Sequence, residues 1–230
     1  MDHDRLTGRD AVSGTSSPPR DPGETVAGPT VRGPERESET PDLHHHVALL
    51  YATQDQQFAA VVPLIRDGLE RGERCLYICD DNPREDVERA MRAAGIDVDA
   101  AVEAGDLSFH SKEGTFLRNG AFEPEEVIAF ADEMTRTATE EGSYDAIRIA
   151  GEMTWALDGE HSVDRLIEYE ETLNGVFPEL DCVGICQYNV DRFSPEIINQ
   201  IVRSHPNLVY DGTVGRDFYY IPSEYVFSPN

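Results

Sequence analysis

Residues 46–58 read HVALLYATQDQQF, and this stretch decides how the rest of the chain is read. Residues 47–51 form a continuous apolar run, the pattern of a strand buried on both faces. A helical pattern begins within a few residues of its end. Phe58, Val61, Val62, Ile65 and Leu69 make one stripe, and Gly72 closes it. Pro63 inside that pattern predicts a bend, or the start of the helix's main body. In a nucleotide-binding α/β sheet, the turn between strand and helix is glycine-rich and ends in a lysine that reaches the phosphates. Here the turn is Tyr51-Ala52-Thr53-Gln54-Asp55-Gln56-Gln57, with neither. A degenerate phosphate loop without ATP hydrolysis is the expectation.

The alternation of strand and helix continues from there. Strands are expected at 74–79, 107–110, 146–150 and 182–188. Helices are expected after Asn82-Pro83 and over 123–141, 162–176 and 195–203, with two short extended segments near the C-terminus. This order predicts an α/β domain over 43–230, a mostly parallel sheet with helices on both faces. Residues 1–42 hold 6 of the 14 prolines and 5 of the 18 glycines without an apolar period, so they read as a disordered leader.

The chain has 230 residues, with 45 acidic against 19 basic ones and a net charge of −26. Lys112 is its one lysine; the other 18 basic residues are arginines. The acids are spread through core-forming sequence rather than gathered in a tail. That balance predicts a halophilic protein from a salt-rich cytoplasm, such as a haloarchaeal one, where salt screens self-repulsion. It argues against direct nucleic-acid binding, since the protein would repel phosphates. No apolar run approaches the ~20 residues of a membrane span, and no signal-peptide core is present, so a soluble cytoplasmic protein without membrane contact is expected. Cys75 and Cys79, like Cys182 and Cys186, lie four apart on strands, roughly 13 Å, too far for a disulfide. They read as buried thiols. His44, His45 and His46 would alternate sides along an emerging strand, which argues against a shared ion. No metal or cofactor is therefore expected.

Ligands of such sheets bind outside the carboxyl ends of the strands. Those ends carry aromatic groups: Tyr51, Trp155 (the one tryptophan), Tyr188 and, further on, Phe193. An apolar pocket with a few polar anchors suits a small organic molecule. Arg148 falls in the middle of a strand that should be buried, and Glu170 falls on the apolar stripe of the following helix. The two are expected to pair, with Glu152 as the second candidate partner of Arg148. Glu152 stands where an α/β enzyme keeps a general base, but no nucleophile with a nearby histidine accompanies it.

These residues also carry a family resemblance. HVALLY, GLERGERCLYICDD, AGIDVDAAVEAGDLSF, IRIAGEMTWAL, EYEETLN, CQYN, RFSPEII, SHPNLVYDG and FYYIPSEY resemble the successive motifs of the MEDS family, the methanogen/methylotroph sensory domain of the dichloromethane-repressor type. The Gly-Glu-Met-x-Trp and His205-Pro206 stretches are the most specific. The resemblance implies a RecA-like three-layer sandwich that has lost its phosphate loop and senses small hydrocarbon-derived ligands. Asp80-Asp81 would take the place of the catalytic glutamates of clock-type RecA-like ATPases. Tyr51, Asp80, Glu152, Trp155, Tyr188 and His205 are the expected ligand-binding residues. Relatives of this type often carry a DNA-binding or kinase module, which is not seen here, so a separate signalling partner is expected. The sequence leaves the oligomeric state open. Two alternatives remain: an interaction scaffold derived from such an ATPase, and an enzyme using Glu152 or His205 as acid or base.

Overall fold

Strands His46–Tyr51 (β1), Arg74–Cys79 (β2), Leu107–Ser111 (β3), Ile147–Glu152 (β4), Cys182–Asn189 (β5), Asn207–Tyr210 (β6) and Thr213–Arg216 (β7) join in one sheet, in the order β3-β2-β4-β5-β1-β6-β7. The first six are parallel, and β7 runs antiparallel to β6. The computed structural model describes residues 45–159, 162–210 and 213–216. The segment read as a leader, His44 and the FYYIPSEY stretch lie outside them. No described helix is long and apolar enough to cross a membrane.

Helices Gln54–Glu70 (α1), Arg84–Ala93 (α2) and Val98–Ala104 (α3) cover one face of the sheet. Pro124–Arg136 (α4), Ser162–Val176 (α5) and Pro195–Ser204 (α6) cover the other. Connection handedness explains the division. Chain travel from β1 to β2 and from β2 to β3 runs one way across the sheet, whereas travel from β3 to β4, β4 to β5 and β5 to β6 runs the other way. Right-handed crossovers in opposite directions place their helices on opposite faces. Strand alternation then builds two cores. Val47, Leu49, Cys75 and Tyr77 pack under α1 to α3, while Ala48, Leu76, Ile147 and Cys186 pack under α4 to α6.

Pro63 does not interrupt the first helix: α1 runs unbroken through it. Pro63 and Ala59, whose carbonyl loses its helical donor there, are both exposed, so water can take the carbonyl. The helix expected over 123–141 is α4 extended by a wider π-type turn, Thr137–Glu141.

Arg148 is buried, as its place in the strand predicts, but it does not pair with Glu170. Its guanidinium donates to Glu73 through Nε (2.7 Å) and Nη2 (3.0 Å), to the Leu64 carbonyl (2.6 Å) and to Asp67 (3.3 Å). The reason is parity. Arg148 and Glu152 point to the α1 face, whereas α5, which carries Glu170, lies on the other. Gly68 makes room for the side chain: a Cβ there would lie 2.9 Å from Arg148 Nε. Removing the arginine strands a nearly buried Glu73, so Arg148→Met is expected to cost about 3–5 kcal/mol in denaturant unfolding. Adding Glu73→Gln should recover part of that loss, and adding Glu170→Gln should recover none. A silent Arg148→Met would show that the pair contributes nothing to the fold.

Candidate functional site

Connections from β2 and β4 leave toward opposite faces, so a crevice opens between their carboxyl ends, the usual ligand position in such sheets. Glu152, the last residue of β4, fills its floor and is 0% exposed. Five donors reach its carboxylate. Oε1 accepts from Asn82 Nδ2 (2.7 Å), Tyr77 Oη (2.9 Å) and Gln57 Nε2 (3.2 Å), and Oε2 accepts from the amides of Asp80 (2.8 Å) and Asn82 (3.0 Å). Burial pushes the Glu152 carboxyl above its usual range, and these donors pull it back. Gln57 also donates to Gln187 Oε1 (3.0 Å) and accepts from Asn82 Nδ2 (2.8 Å), which closes the network. With its oxygens committed and buried, Glu152 is not placed to take a proton from a reactant.

This network stands where a phosphate loop would lie. The turn from β1 to α1 is only Ala52 and Thr53, and α1 caps itself. Thr53 Oγ1 accepts from the Gln56 amide (3.3 Å), and Gln56 Oε1 accepts from the amides of Ala52 (3.0 Å) and Thr53 (3.2 Å). Three amides at the entry of this helix, those of Ala52, Thr53 and Gln56, are thereby engaged by the chain's own side chains rather than left for a phosphate.

Asp80 links the crevice to its surroundings. Its Oδ2 accepts from the Trp155 amide (2.5 Å), and its Oδ1 pairs with Lys112 (2.7 Å), which also reaches Asp158 (3.3 Å). Burial raises the Asp80 carboxyl, and Lys112 opposes that rise. Beside Asp80, at the ends of β2 and β3, lies a cleft of about 350 Å³ whose walls include Cys79, Asn82, Phe109, His110 and Lys112. Arg84 lies over the Phe109 ring at 4.8 Å. Burial, and then Arg74, lower the His110 imidazole below its usual range.

The expected ligand-binding residues do not converge in one pocket. Tyr51, Asp80 and Glu152 lie at the crevice, with Tyr51 buried on the α1 face. Tyr188 lies on the opposite face, because Leu50, and not Tyr51, pairs in register with it, and His205, at the end of α6, packs against the Tyr188 ring there (5.9 Å between centroids). The Trp155 ring is on that second face too, 2% exposed and packed between Phe116 (4.9 Å between centroids) and Phe122 (4.6 Å). An apolar cavity lined by Phe116, Met153 and Phe177 measures about 30 Å³, room for little more than a water-sized group. The expected aromatic pocket is therefore corrected: only the backbone of Trp155 reaches the crevice.

On the second face Glu170, also 0% exposed, gathers a separate cluster. Its Oε2 meets His46 Nε2 (2.8 Å) and His205 Nε2 (3.3 Å), its Oε1 accepts from the Tyr188 hydroxyl, and Cys186 Sγ lies 3.6 Å from Oε2. Burial alone would raise this carboxyl, but His205 and His46 outweigh it and hold Glu170 well below the carboxylate range. Sequence reasoning missed Gln57, Tyr77, Asn82 and Gln187 in the first cluster, and His46 and Cys186 in the second. Gln57 was detectable, since it precedes Val61 by one helical turn on the buried stripe.

The family model described as MEDS, the methanogen/methylotroph, DcmR sensory domain, matches residues 45–206. The transcriptional repressor DcmR of Methylorubrum extorquens is 30% identical over 166 residues, 70% of this chain and 58% of the repressor. This chain thus spans less than two thirds of that relative. A KaiC-like protein from the hyperthermophilic archaeon Pyrococcus horikoshii shares the fold, with a TM-score of 0.50 at 16% identity over 72% of this chain and 69% of the neighbour. The RecA-like architecture accordingly stands.

Glu152→Gln turns an amide group toward donors that need an acceptor. It is expected to lower the unfolding free energy by about 1.5–3 kcal/mol, the scale of a hydrogen bond to a charged group. Unchanged stability in denaturant titration would mean that the network is not formed.

Proposed function

Because the chain belongs to the MEDS family of sensory domains, we propose that it senses a small hydrocarbon-derived molecule and passes the signal to a separate partner in signal transduction or transcriptional regulation, without hydrolysing ATP. The observation that carries this reading is the pairing of a filled phosphate position with an adjoining open cleft. Thr53, Gln56, Gln57 and Glu152 occupy the first, and the cleft of about 350 Å³ beside Asp80 lies within reach of the same network. That volume falls at the lower end of the roughly 300–1,000 Å³ of small-molecule sites.

The lining supports one kind of ligand chemistry. Phe109 and Pro83 offer an apolar wall, and Lys112, His110 and Asp80 offer polar groups. A compact organic molecule with one polar or halogenated end fits that division. Burying a few carbons contributes roughly 0.8 kcal/mol per CH₂, which leaves micromolar to millimolar affinity after association costs. A ligand group that engages Lys112 competes with Asp80, whose other oxygen holds the Trp155 amide. Occupancy is thereby coupled to the Thr154–Leu157 turn that leads toward α5. The second reading, an interaction scaffold, draws on the closed packing around Trp155, which leaves the aromatic strand ends without a pocket.

Titrating short alcohols, halogenated alkanes and small aromatic compounds against the emission of Trp155 separates the two. A saturable change that weakens in Phe109→Ala and in Lys112→Ala supports sensing at the cleft. No response from any compound in emission or calorimetry would put the scaffold in its place. Mg–ATP under the same conditions should give no turnover; turnover abolished by Asp80→Ala would overturn the loss of ATPase chemistry.

A further inference from the structure

The Glu170 cluster contains a bonding conflict that protons alone do not resolve. His205 Nδ1 lies 2.7 Å from the Ile201 carbonyl, which can only accept, so Nδ1 carries the proton. His46 Nδ1 lies 2.9 Å from Asn174 Oδ1, while the Asn174 amide nitrogen donates to the Ser204 (2.6 Å) and Glu170 (3.2 Å) carbonyls. That amide orientation makes Asn174 Oδ1 an acceptor, so His46 Nδ1 is protonated as well. Both rings therefore aim Nε2 at the same carboxylate oxygen, Glu170 Oε2. One extra proton satisfies the His46 contact. It leaves His205 Nε2 fully buried and without a hydrogen-bond partner. A second would set two imidazolium rings with centroids 4.1 Å apart in a water-free site.

Cys186 Sγ stands 3.6 Å from both His46 Nε2 and Glu170 Oε2, and the ligand atoms of His46, Glu170, Cys186 and His205 all lie within 4.8 Å of one another. Metal–ligand bonds of about 2.0–2.3 Å at tetrahedral angles put ligand atoms roughly 3.3–3.8 Å apart. Three of the four separations given above, 3.3, 3.6 and 3.6 Å, fall in that range, and the His46–Glu170 contact is shorter at 2.8 Å. Orientation of each ring by an acceptor on Nδ1 is the arrangement by which proteins fix a metal-binding imidazole.

We infer that His46, Glu170, Cys186 and His205 form a closed, four-coordinate site for a divalent transition ion of the zinc type, joining β1, β5, α5 and the end of α6. Two neutral imidazoles, one carboxylate and one thiolate balance the ion's two positive charges, so the buried site becomes neutral. Entry of the ion releases the Cys186 thiol proton and the proton shared by His46 and Glu170 to solvent. All four residues are buried, which marks a structural site rather than a catalytic one with an open position. It lies on the face of the sheet away from Glu152, and it stands or falls independently of ligand sensing at the cleft.

The test uses the full chain, purified without an affinity tag. Elemental analysis should find one zinc per chain, and stripping it with a strong chelator should lower the thermal midpoint. Cobalt(II) added to the stripped protein should give tetrahedral ligand-field bands and a thiolate-to-cobalt charge-transfer band. Cys186→Ser should lose the charge-transfer band, and His205→Ala should weaken metal affinity by more than about 100-fold, beyond the effect of losing a residue that only orients a ligand. An octahedral, oxygen-only cobalt spectrum would assign the ion to the acidic surface and overturn the site. So would wild-type protein that takes up no stoichiometric metal, or a charge-transfer band that survives Cys186→Ser. The cobalt spectrum of the wild type decides the matter even where His205→Ala does not fold.

Discussion

A carboxylate buried at the end of a central strand must be surrounded by donors or it destabilises the fold, and Glu152 imposes that constraint on everything near it. Its donors come from α1, from β2 and from Asp80 and Asn82 in the loop after β2. The start of α1 is thus drawn down onto the sheet, where a phosphate-binding protein would hold its ligand. A self-capped two-residue turn is compatible with that closure, and a wide glycine-rich loop is not. Fixing the Asp80 and Asn82 amides also fixes the backbone after β2. The Asp80 side chain is then positioned to face Lys112 on one side and the Trp155 amide on the other.

The same logic recurs with each buried charge, and strand parity assigns it a face. Arg148 and Glu152 project from alternate positions of β4 toward α1. Arg148 is neutralised by Glu73 at the α1–β2 junction and held by the Leu64 carbonyl inside the helix. Glu170 projects from α5 onto the other face and meets His46, Cys186 and Tyr188 from the strands. Each polar group therefore ties a helix to the sheet at a defined register. Apolar packing supplies the area, and these contacts specify which helix lies where.

The α/β alternation was legible because strands buried on both faces are continuous apolar runs and the helices keep a clear stripe. Burial of Arg148 was legible from the same pattern. Its partner was not. Choosing between Glu73 and Glu170 requires knowing which face each helix covers, and that depends on strand order, which the periodicity of single elements does not contain. The aromatic strand ends misled for a related reason. Tyr51 and Tyr188 look equivalent in sequence, yet a one-residue difference in register sends them to opposite faces. The Glu170 cluster was illegible because His46 lies 124 positions from Glu170 and 140 from Cys186. No local spacing rule reaches that far.

Native-state hydrogen exchange at the Asp80 and Asn82 amides tests the closure of the phosphate position most directly. Both lie in a loop outside helix and strand, where exchange is ordinarily fast, yet both donate to a buried carboxylate. They are predicted to exchange as slowly as the core amides of β2 and β4, with or without Mg–ATP. Exchange at the rate of an exposed loop, or protection that arises only when nucleotide is added, would contradict the account.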